Sequence, residues 1–291
     1  MKTSLDCIPC LLRQTLDAAR LVSPKPSIHE HILRDALRWA GEMSLSQSPP
    51  AMAQRIHRRL REMTGVTDPY RETKDWQNRI VMELIPALWA EVEAANDSLL
   101  MAARLAIAGN VIDVGSNGNL TEAGVRQALK QALVEPFFGE ELRFREAVAQ
   151  AKSILYIADN AGEIVIDRLL VDQLLPREIT FVVRGSPILN DVTMIDAITV
   201  GLDQVVTVID NGSDAPGTIL TDCNKALRDR FSTVDLIIAK GQGNFETLSN
   251  ESGNIFFLFN VKCMVIAELV GQPIGTQMLI HSRPCVGGGV C

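Results

Sequence analysis

Over roughly the first half of the chain, apolar residues recur at intervals of three and four, the spacing that lines one face of a helix. Leu5, Ile8, Leu12 and Leu16 form one such line, and Ile28, Ile32, Ala36, Leu37 and Ala40 form the next. Prolines at Pro24, Pro26, Pro49, Pro50 and Pro69 punctuate the pattern, because a proline lacks a donor and blocks the preceding turn. The spacing predicts a third helix after Pro50 and a fourth from Lys74 to Ala95 that Pro86 kinks. A fifth, capped by Asp97 and Ser98, ends at Ala108, and two more run from Glu122 to Val134 and from Glu140 to Lys152.

After Ser153 the rhythm changes. Short β-branched runs of strand length alternate with amphipathic stretches of helix length, the signature of a parallel sheet covered on both faces. The predicted strands are Ile154 to Ala158, Ile179 to Val183, Gln204 to Val208, Leu236 to Ala239 and Phe256 to Asn260. The fold class is therefore α/β, a doubly wound and mostly parallel sheet with a helical N-terminal part packed against it. The expected division is a helical domain at 1–105, an α/β domain at 106–284, and a glycine-rich tail at 285–291 expected to be flexible.

Composition narrows the function. The 291 residues are 47% hydrophobic and 22% charged, enough apolar content for a sizeable core. A net charge of −7, with no basic stripe interleaved with aromatics, argues against a nucleic-acid partner. The start MKTSLDCIPCLLRQ lacks a secretory pattern and no apolar run reaches membrane-spanning length, so a cytoplasmic protein without membrane association is expected. Six scattered cysteines do not make a disulfide framework.

In an open parallel sheet, ligands bind beyond the carboxyl ends of the strands, where loops lead into helix N-termini. The first predicted strand ends in Asp159-Asn160, the second leads through Arg184-Gly185 to Asn190-Asp191, and the third ends in Asp210-Asn211-Gly212. The fourth ends in Lys240, followed by Gly241, Gly243 and Asn244. Asp159, Asn160 and Asp191 together make an oxygen-only donor set suited to Mg²⁺ or Mn²⁺. Lys240 and the amides of the glycines beside it would hold a phosphate against that metal, which would polarise a phosphoryl oxygen and activate water. Taken singly, each feature also reads as a turn or a helix cap: Asp-Asn at a strand end, Asn-Asp before Thr193, Asp-Asn-Gly as a plain turn.

The segments LDCIPCLLRQ (Leu5 to Gln14), DPYRETKDWQN (Asp68 to Asn78), AGNVID (Ala108 to Asp113), IADNAGEIVID (Ile157 to Asp167), LNDVT (Leu189 to Thr193), KGQGNFETL (Lys240 to Leu248) and KCMVIA (Lys262 to Ala267) occur in this order. With them the chain resembles the domain of unknown function 89 family of metal-dependent damage-control phosphatases, in its branch with an N-terminal Cys-x-x-Cys. The resemblance implies Asp159, Asn160 and Asp191 as metal ligands and Lys240 as the phosphate-holding residue. It also places Asn110, Glu163, Asn244 and Gly241 around the site, with Glu163 and Asp159 nearest the chemistry. The implied substrates are sugar phosphates, phosphopantetheine derivatives or damaged phosphometabolites, and the implied metals are Mn²⁺, Mg²⁺, Co²⁺ or Ni²⁺. The Arg-Thr-x-Lys pattern of the sugar-phosphate branch is replaced here by KGQGN.

Cys7 and Cys10 have the spacing of half a zinc site, but no second pair follows. A secondary metal site, a redox pair and simple packing of the first helix all remain open for them. The four histidines are expected at the surface. Two other functions compete with hydrolysis: an S-adenosylmethionine-dependent carboxyl methyltransferase, for which the turn Asp-Asn-Ala-Gly has one glycine only, and a metal- or phosphometabolite-binding sensor without turnover.

Overall fold

A computed structural model describes residues 1–110 and 122–282. The expected tail, Cys285, Cys291 and the Val111 to Asp113 part of AGNVID lie outside the described residues. Three N-terminal helices, α1 (Cys7–Val22), α2 (Pro26–Glu42) and α3 (Pro49–Thr64), share a small core of their own built on Leu11, Ile32, Met52, Ile56 and Leu60. The buried line of α1 is Leu11, Thr15, Ala18 and Ala19, one position round from the predicted line, and Leu5 is exposed. Thr15 can face inward because its hydroxyl donates to the Leu11 carbonyl at 2.7 Å. The two alanines leave room for the neighbouring helices.

The predicted long fourth helix is two, α4 (Arg71–Met82) and α5 (Ile85–Ala94), and Pro86 opens the second rather than kinking a continuous one. Next comes α6 (Ser98–Ala108), capped by Asp97 accepting from the Leu100 amide at 2.9 Å, and then α7 (Glu122–Val134). Helices α4 to α6 do not belong to the N-terminal core. They pack into the same core as the sheet, where Val81, Leu84, Leu105 and Ile107 meet Ile154, Tyr156 and Ile166.

Among the described residues the sheet has seven strands. They are β1 (Phe137–Gly139), β2 (Ser153–Ile157), β3 (Glu178–Val183), β4 (Thr207–Asp210), β5 (Leu236–Lys240), β6 (Ile255–Asn260) and β7 (Gln277–His281), arranged 1-7-6-5-2-3-4. All neighbours are parallel except β6 and β7. Between strands run α8 (Glu141–Gln150), α9 (Glu163–Leu174), α10 (Met194–Thr199), α11 (Lys225–Thr233), α12 (Gln242–Leu248) and α13 (Met264–Val270). Alternate residues of β2 serve opposite faces: Ile154 and Tyr156 join the core under α6 and α9, while Leu155 and Ile157 join a second core with Phe245, Phe257 and Phe259. Both faces are thus covered, which is why the central strands read as continuous apolar runs. The β4 strand starts three residues later than predicted because Leu202–Gln204 is a short 3-10 turn. No helix among the described residues is long and apolar enough to cross a membrane.

Candidate active site

From β2 the chain builds outward to β3 and β4 on one side, then crosses to build β5 and β6 on the other. The crevice of such a switch opens between the carboxyl ends of the two strands that flank the crossing, here β2 and β5. Asp159 follows β2 and Gly241 follows β5, and the two touch: a Cβ built on Gly241 would lie 1.9 Å from Asp159 Oδ2. Gly241 has φ +78° and ψ 159°, a conformation essentially confined to glycine.

Main-chain bonds set the acidic residues side by side. The Ala158 amide donates to the Val182 carbonyl at 3.0 Å, the Val192 amide to Asp159 O at 2.9 Å, and the Ala161 amide to Asn190 O at 2.9 Å. These contacts make Asn160 and Asp191 partners in an isolated antiparallel bridge. Asn110, at the end of α6, reaches across with Nδ2 3.1 Å from Asp159 Oδ2 and 2.8 Å from Glu163 Oε2. Asn160 Nδ2 donates to Asp159 Oδ2 at 2.8 Å and approaches Glu163 Oε2 at 3.4 Å. Five of the expected residues, Asp159, Asn160, Asp191, Glu163 and Asn110, therefore form one buried group.

That group is over-supplied with negative charge. Burial, and then the charges of Glu163 and Asp191, push the Asp159 carboxyl well above its ordinary range, against the pull of Lys262 and Arg184. A divalent cation between the acids would reverse this penalty, and the donors present are the hard oxygens such a cation takes. The buried Asn110 Oδ1, which has no hydrogen-bond partner among the described residues, adds one more oxygen. Among the described residues no three His, Cys, Asp or Glu side chains gather in a way that could hold a metal ion. The candidate set is of another kind, two carboxylates completed by amide oxygens.

Lys240 adjoins this group through Glu163, but its ammonium points at carboxylates. Its ammonium is fully buried and all three protons are engaged, with Glu163 Oε1 at 2.6 Å, Asp167 Oδ1 at 2.5 Å and the Ala106 carbonyl at 2.9 Å. The sequence assigned it a phosphate; the structure gives it two carboxylates, and Tyr156 OH closes the chain on Asp167 at 2.7 Å. Asn244 also turns inward, its Nδ2 tying the Lys240 carbonyl at 2.6 Å to the Ala158 carbonyl at 3.1 Å, so it joins the ends of β5 and β2.

Arg184, buried at the end of β3, carries no assigned role in the sequence. Its Nε donates to Asp191 Oδ2 at 2.7 Å, while Nη2 has no hydrogen-bond partner among the described residues and sits 3.8 Å from Asp159 Oδ1. Its position after a strand was the available signal. The DPYRETKDWQN segment braces the same edge. Asn78 Oδ1 accepts from the Gly162 amide at 2.7 Å, and Lys74 pairs with Asp68 at 2.8 Å and Asp196 at 3.6 Å. Asp196 and Thr193 make a capping box that starts α10. Cys7 and Cys10 are free thiols outside this group. Of the histidines, His57 is buried, and burial first, then Arg61, lower it to about 4, contrary to the expected surface position.

Residues 3–278 match the model of the damage-control phosphatase ARMT1-like domain. The chain is 34% identical to a protein of Archaeoglobus fulgidus named damage-control phosphatase, over 96% of this chain and 98% of that one. It is 32% identical to an uncharacterized protein of Methanocaldococcus jannaschii, over 96% and 95% respectively. The crystal structure of a DUF89 family protein from Pyrococcus horikoshii superposes with a TM-score of 0.85 at 26% identity, covering 97% of this chain and all of that one. The chain therefore belongs to the ARMT1-like damage-control phosphatase domain family.

Proposed function

We propose that this chain is a divalent-metal-dependent phosphomonoesterase acting on small phosphorylated metabolites. The observation that carries the reading is the buried group of Asp159, Asn160, Asp191, Glu163 and Asn110 at the crevice between β2 and β5. Asp159, Asn160 and Asp191 would hold the metal, with Mg²⁺, Mn²⁺, Co²⁺ and Ni²⁺ as the candidates. When bound, the metal supplies a Lewis acid for the phosphoryl oxygens.

The protein's own groups do the rest. Arg184 Nη2, which makes no hydrogen bond among the described residues and lies 3.8 Å from Asp159 Oδ1, is placed to donate to a phosphoryl oxygen, a charge-assisted bond. Lys262 is exposed just beyond β6, its backbone amide 3.0 Å from Gln242 Oε1 at the head of α12, and its charge already acts on Asp159. It is the second cation for the phosphate. Lys240 fixes one oxygen of Glu163 and the two asparagines fix the other, so this carboxylate is oriented to accept a proton from an attacking water. Lys240 is then a positioning residue, and the phosphate contact expected of it passes to Arg184 and Lys262.

The test is a panel of sugar phosphates, phosphopantetheine and p-nitrophenyl phosphate, assayed on EDTA-stripped protein with each of the four metals returned in turn. Turnover is expected only with metal, and Asp159→Asn should leave under about 1% of it, the loss of a directly acting group. Metal-independent hydrolysis, or full activity in the variant, overturns the reading. Tight binding of a phosphometabolite without turnover would favour the sensor instead.

A further inference from the structure

The loop that delivers Asp191 has an unusual backbone. Among the described residues Leu189 alone, glycines apart, has a positive φ, +45°, a region that a bulky side chain enters only under constraint. The Asp191 amide donates to the Ile188 carbonyl at 3.0 Å and closes a turn over Leu189 and Asn190. Leu189 fills the first central position, which usually goes to glycine when φ there is positive. The residues that follow are those the crevice uses. Asn190 O accepts from the Ala161 amide at 2.9 Å, and Asp191 bridges to Asn160. Relaxation of Leu189 to an ordinary negative φ would therefore re-aim Asp191.

Such strain persists only where the surroundings over-determine the backbone, and here the surroundings include the N-terminal helices. Arg61 of α3 donates through Nη1 to the Pro187 carbonyl at 3.0 Å and through Nη2 to Asp214. Arg58 and Gln54 of the same helix hold Asp214 at 2.6 and 2.7 Å, so Arg61 works from a fixed base. Ile188 is buried, and the half-buried Leu189 lines one small hollow together with His57, Leu60 and Arg61. The start of the loop is pinned as well, because the Gly185 amide donates to Ser213 O and Asn211 Oδ1, both at 2.9 Å. The three helices, which have a core of their own, thus take hold of the chain two residues before a candidate metal ligand.

We propose that Leu189 is the positioning residue for Asp191: gripped against α3, it keeps the turn in its strained form and so aims the carboxylate into the crevice. The inference rests on the metal site proposed above. Two opposed properties of one side chain carry the role, since its packing holds the turn and its Cβ strains it. Alanine keeps the strain and loses the grip, so the turn relaxes. Glycine loses both, so the turn keeps its shape unaided. A leucine that merely filled the hollow would give the reverse order, because glycine removes more of the side chain than alanine and loosens the chain further.

Metal affinity tests this without recourse to turnover. The full chain and each variant are titrated by calorimetry with Mg²⁺, Mn²⁺, Co²⁺ and Ni²⁺ in turn, and urea unfolding in EDTA checks that each is folded. Leu189→Ala should weaken binding by about ten-fold or more, the loss typical of a residue that orients a metal ligand. Leu189→Gly should stay within about three-fold of the parent, as should Leu189→Met, whose side chain has a similar volume. If Leu189→Ala does not fold, Leu189→Ser carries the same comparison. Unchanged affinity in Leu189→Ala, or a Leu189→Gly that binds no better than Leu189→Ala, overturns the proposal and leaves the metal site standing. A parent that binds none of the four metals overturns the metal site itself, and the proposal with it.

Discussion

Replacing Gly241 with alanine tests how closely the crevice is built. The position has φ +78° and ψ 159°, and an L side chain there costs about 1–3 kcal/mol in backbone strain. The new Cβ would stand 1.9 Å from Asp159 Oδ2, where ordinary contact begins at 3.4 Å, so one of the two must shift by 1.5 Å (3.4 − 1.9). A displacement near 1 Å at a reacting centre costs about 100-fold in rate, and forced overpacking adds about 1–3 kcal/mol of instability. Gly241→Ala should therefore lose at least about 100-fold in kcat/KM and about 2–6 kcal/mol of stability. Gly65 is the control, with φ +72° and nothing within 4 Å of a built Cβ. Gly65→Ala should cost about 1–2 kcal/mol and leave the rate alone. Urea unfolding and metal-saturated hydrolysis of p-nitrophenyl phosphate measure both. Activity of Gly241→Ala within about three-fold of the parent, or an equal loss in Gly65→Ala, refutes the argument that the glycine serves the carboxylate.

Lys240→Met leaves Glu163 and Asp167 buried without their cation, and urea unfolding should show a loss of about 3–5 kcal/mol; a loss under about 1 kcal/mol would mean that the carboxylates relax freely. Asp196→Asn probes the brace. Burial alone would raise the Asp196 carboxyl, but Arg71, Lys74 and Thr193 outweigh it and hold the group below 3.8. A depressed acid contributes stability that is present above its unfolded pKa and lost as pH falls through the folded one. The gap between parent and Asp196→Asn in urea unfolding should therefore be wide at neutral pH and close in acid, and a gap independent of pH would contradict the ion-pair account.

The strands that carry the site were the most legible part of the chain. β2, β3, β5 and β6 are buried on both faces and read as unbroken apolar runs, and their ends held Asp159, Asp191 and Gly241 where strand-end chemistry places a ligand. The two strands beyond β6 in the sheet carried no comparable signal. β1 is three residues long, and β7 exists as a strand through its pairing with β6, which no local pattern records. The direction of Lys240 was equally hidden. A lysine after an apolar strand beside glycines suggests an anion in solution, and only the packing of α6 and α9 shows that Ala106, Glu163 and Asp167 claim its protons first. The contacts of Asn244 were hidden in the same way, since its inward turn depends on the carbonyls of two strands brought together by the crossover.

Where the chain buries charge supports the proposed function independently of any motif. Lys74, Asp159, Glu163, Asp167, Arg184, Asp191, Asp196 and Lys240 are all buried along this one edge, while the opposite face of the sheet is filled by Phe245, Phe257 and Phe259. Three cations against five acids leave a formal charge of −2, unchanged when the half-buried Arg71 and Asp68 are both included. Apolar replacements of similar volume would be at least as stable, so the cost of this arrangement points to a use, and the residual charge suits a divalent cation. The idea can be tested on stability alone. A carboxyl raised by burial and by like charges penalises the folded state increasingly as pH rises from its unfolded value toward its folded one. Without metal at neutral pH, Asp159→Asn should then be more stable than the parent, by about 1–3 kcal/mol, since the amide keeps the hydrogen bonds of Asn110 and Asn160 without the repulsion. With metal at about 100 times its dissociation constant the parent should gain about 2.7 kcal/mol and the variant nothing, which brings the parent level with it or above. A parent already more stable than Asp159→Asn in EDTA would show that the acid group is balanced within the protein, and the argument from residual charge would fail.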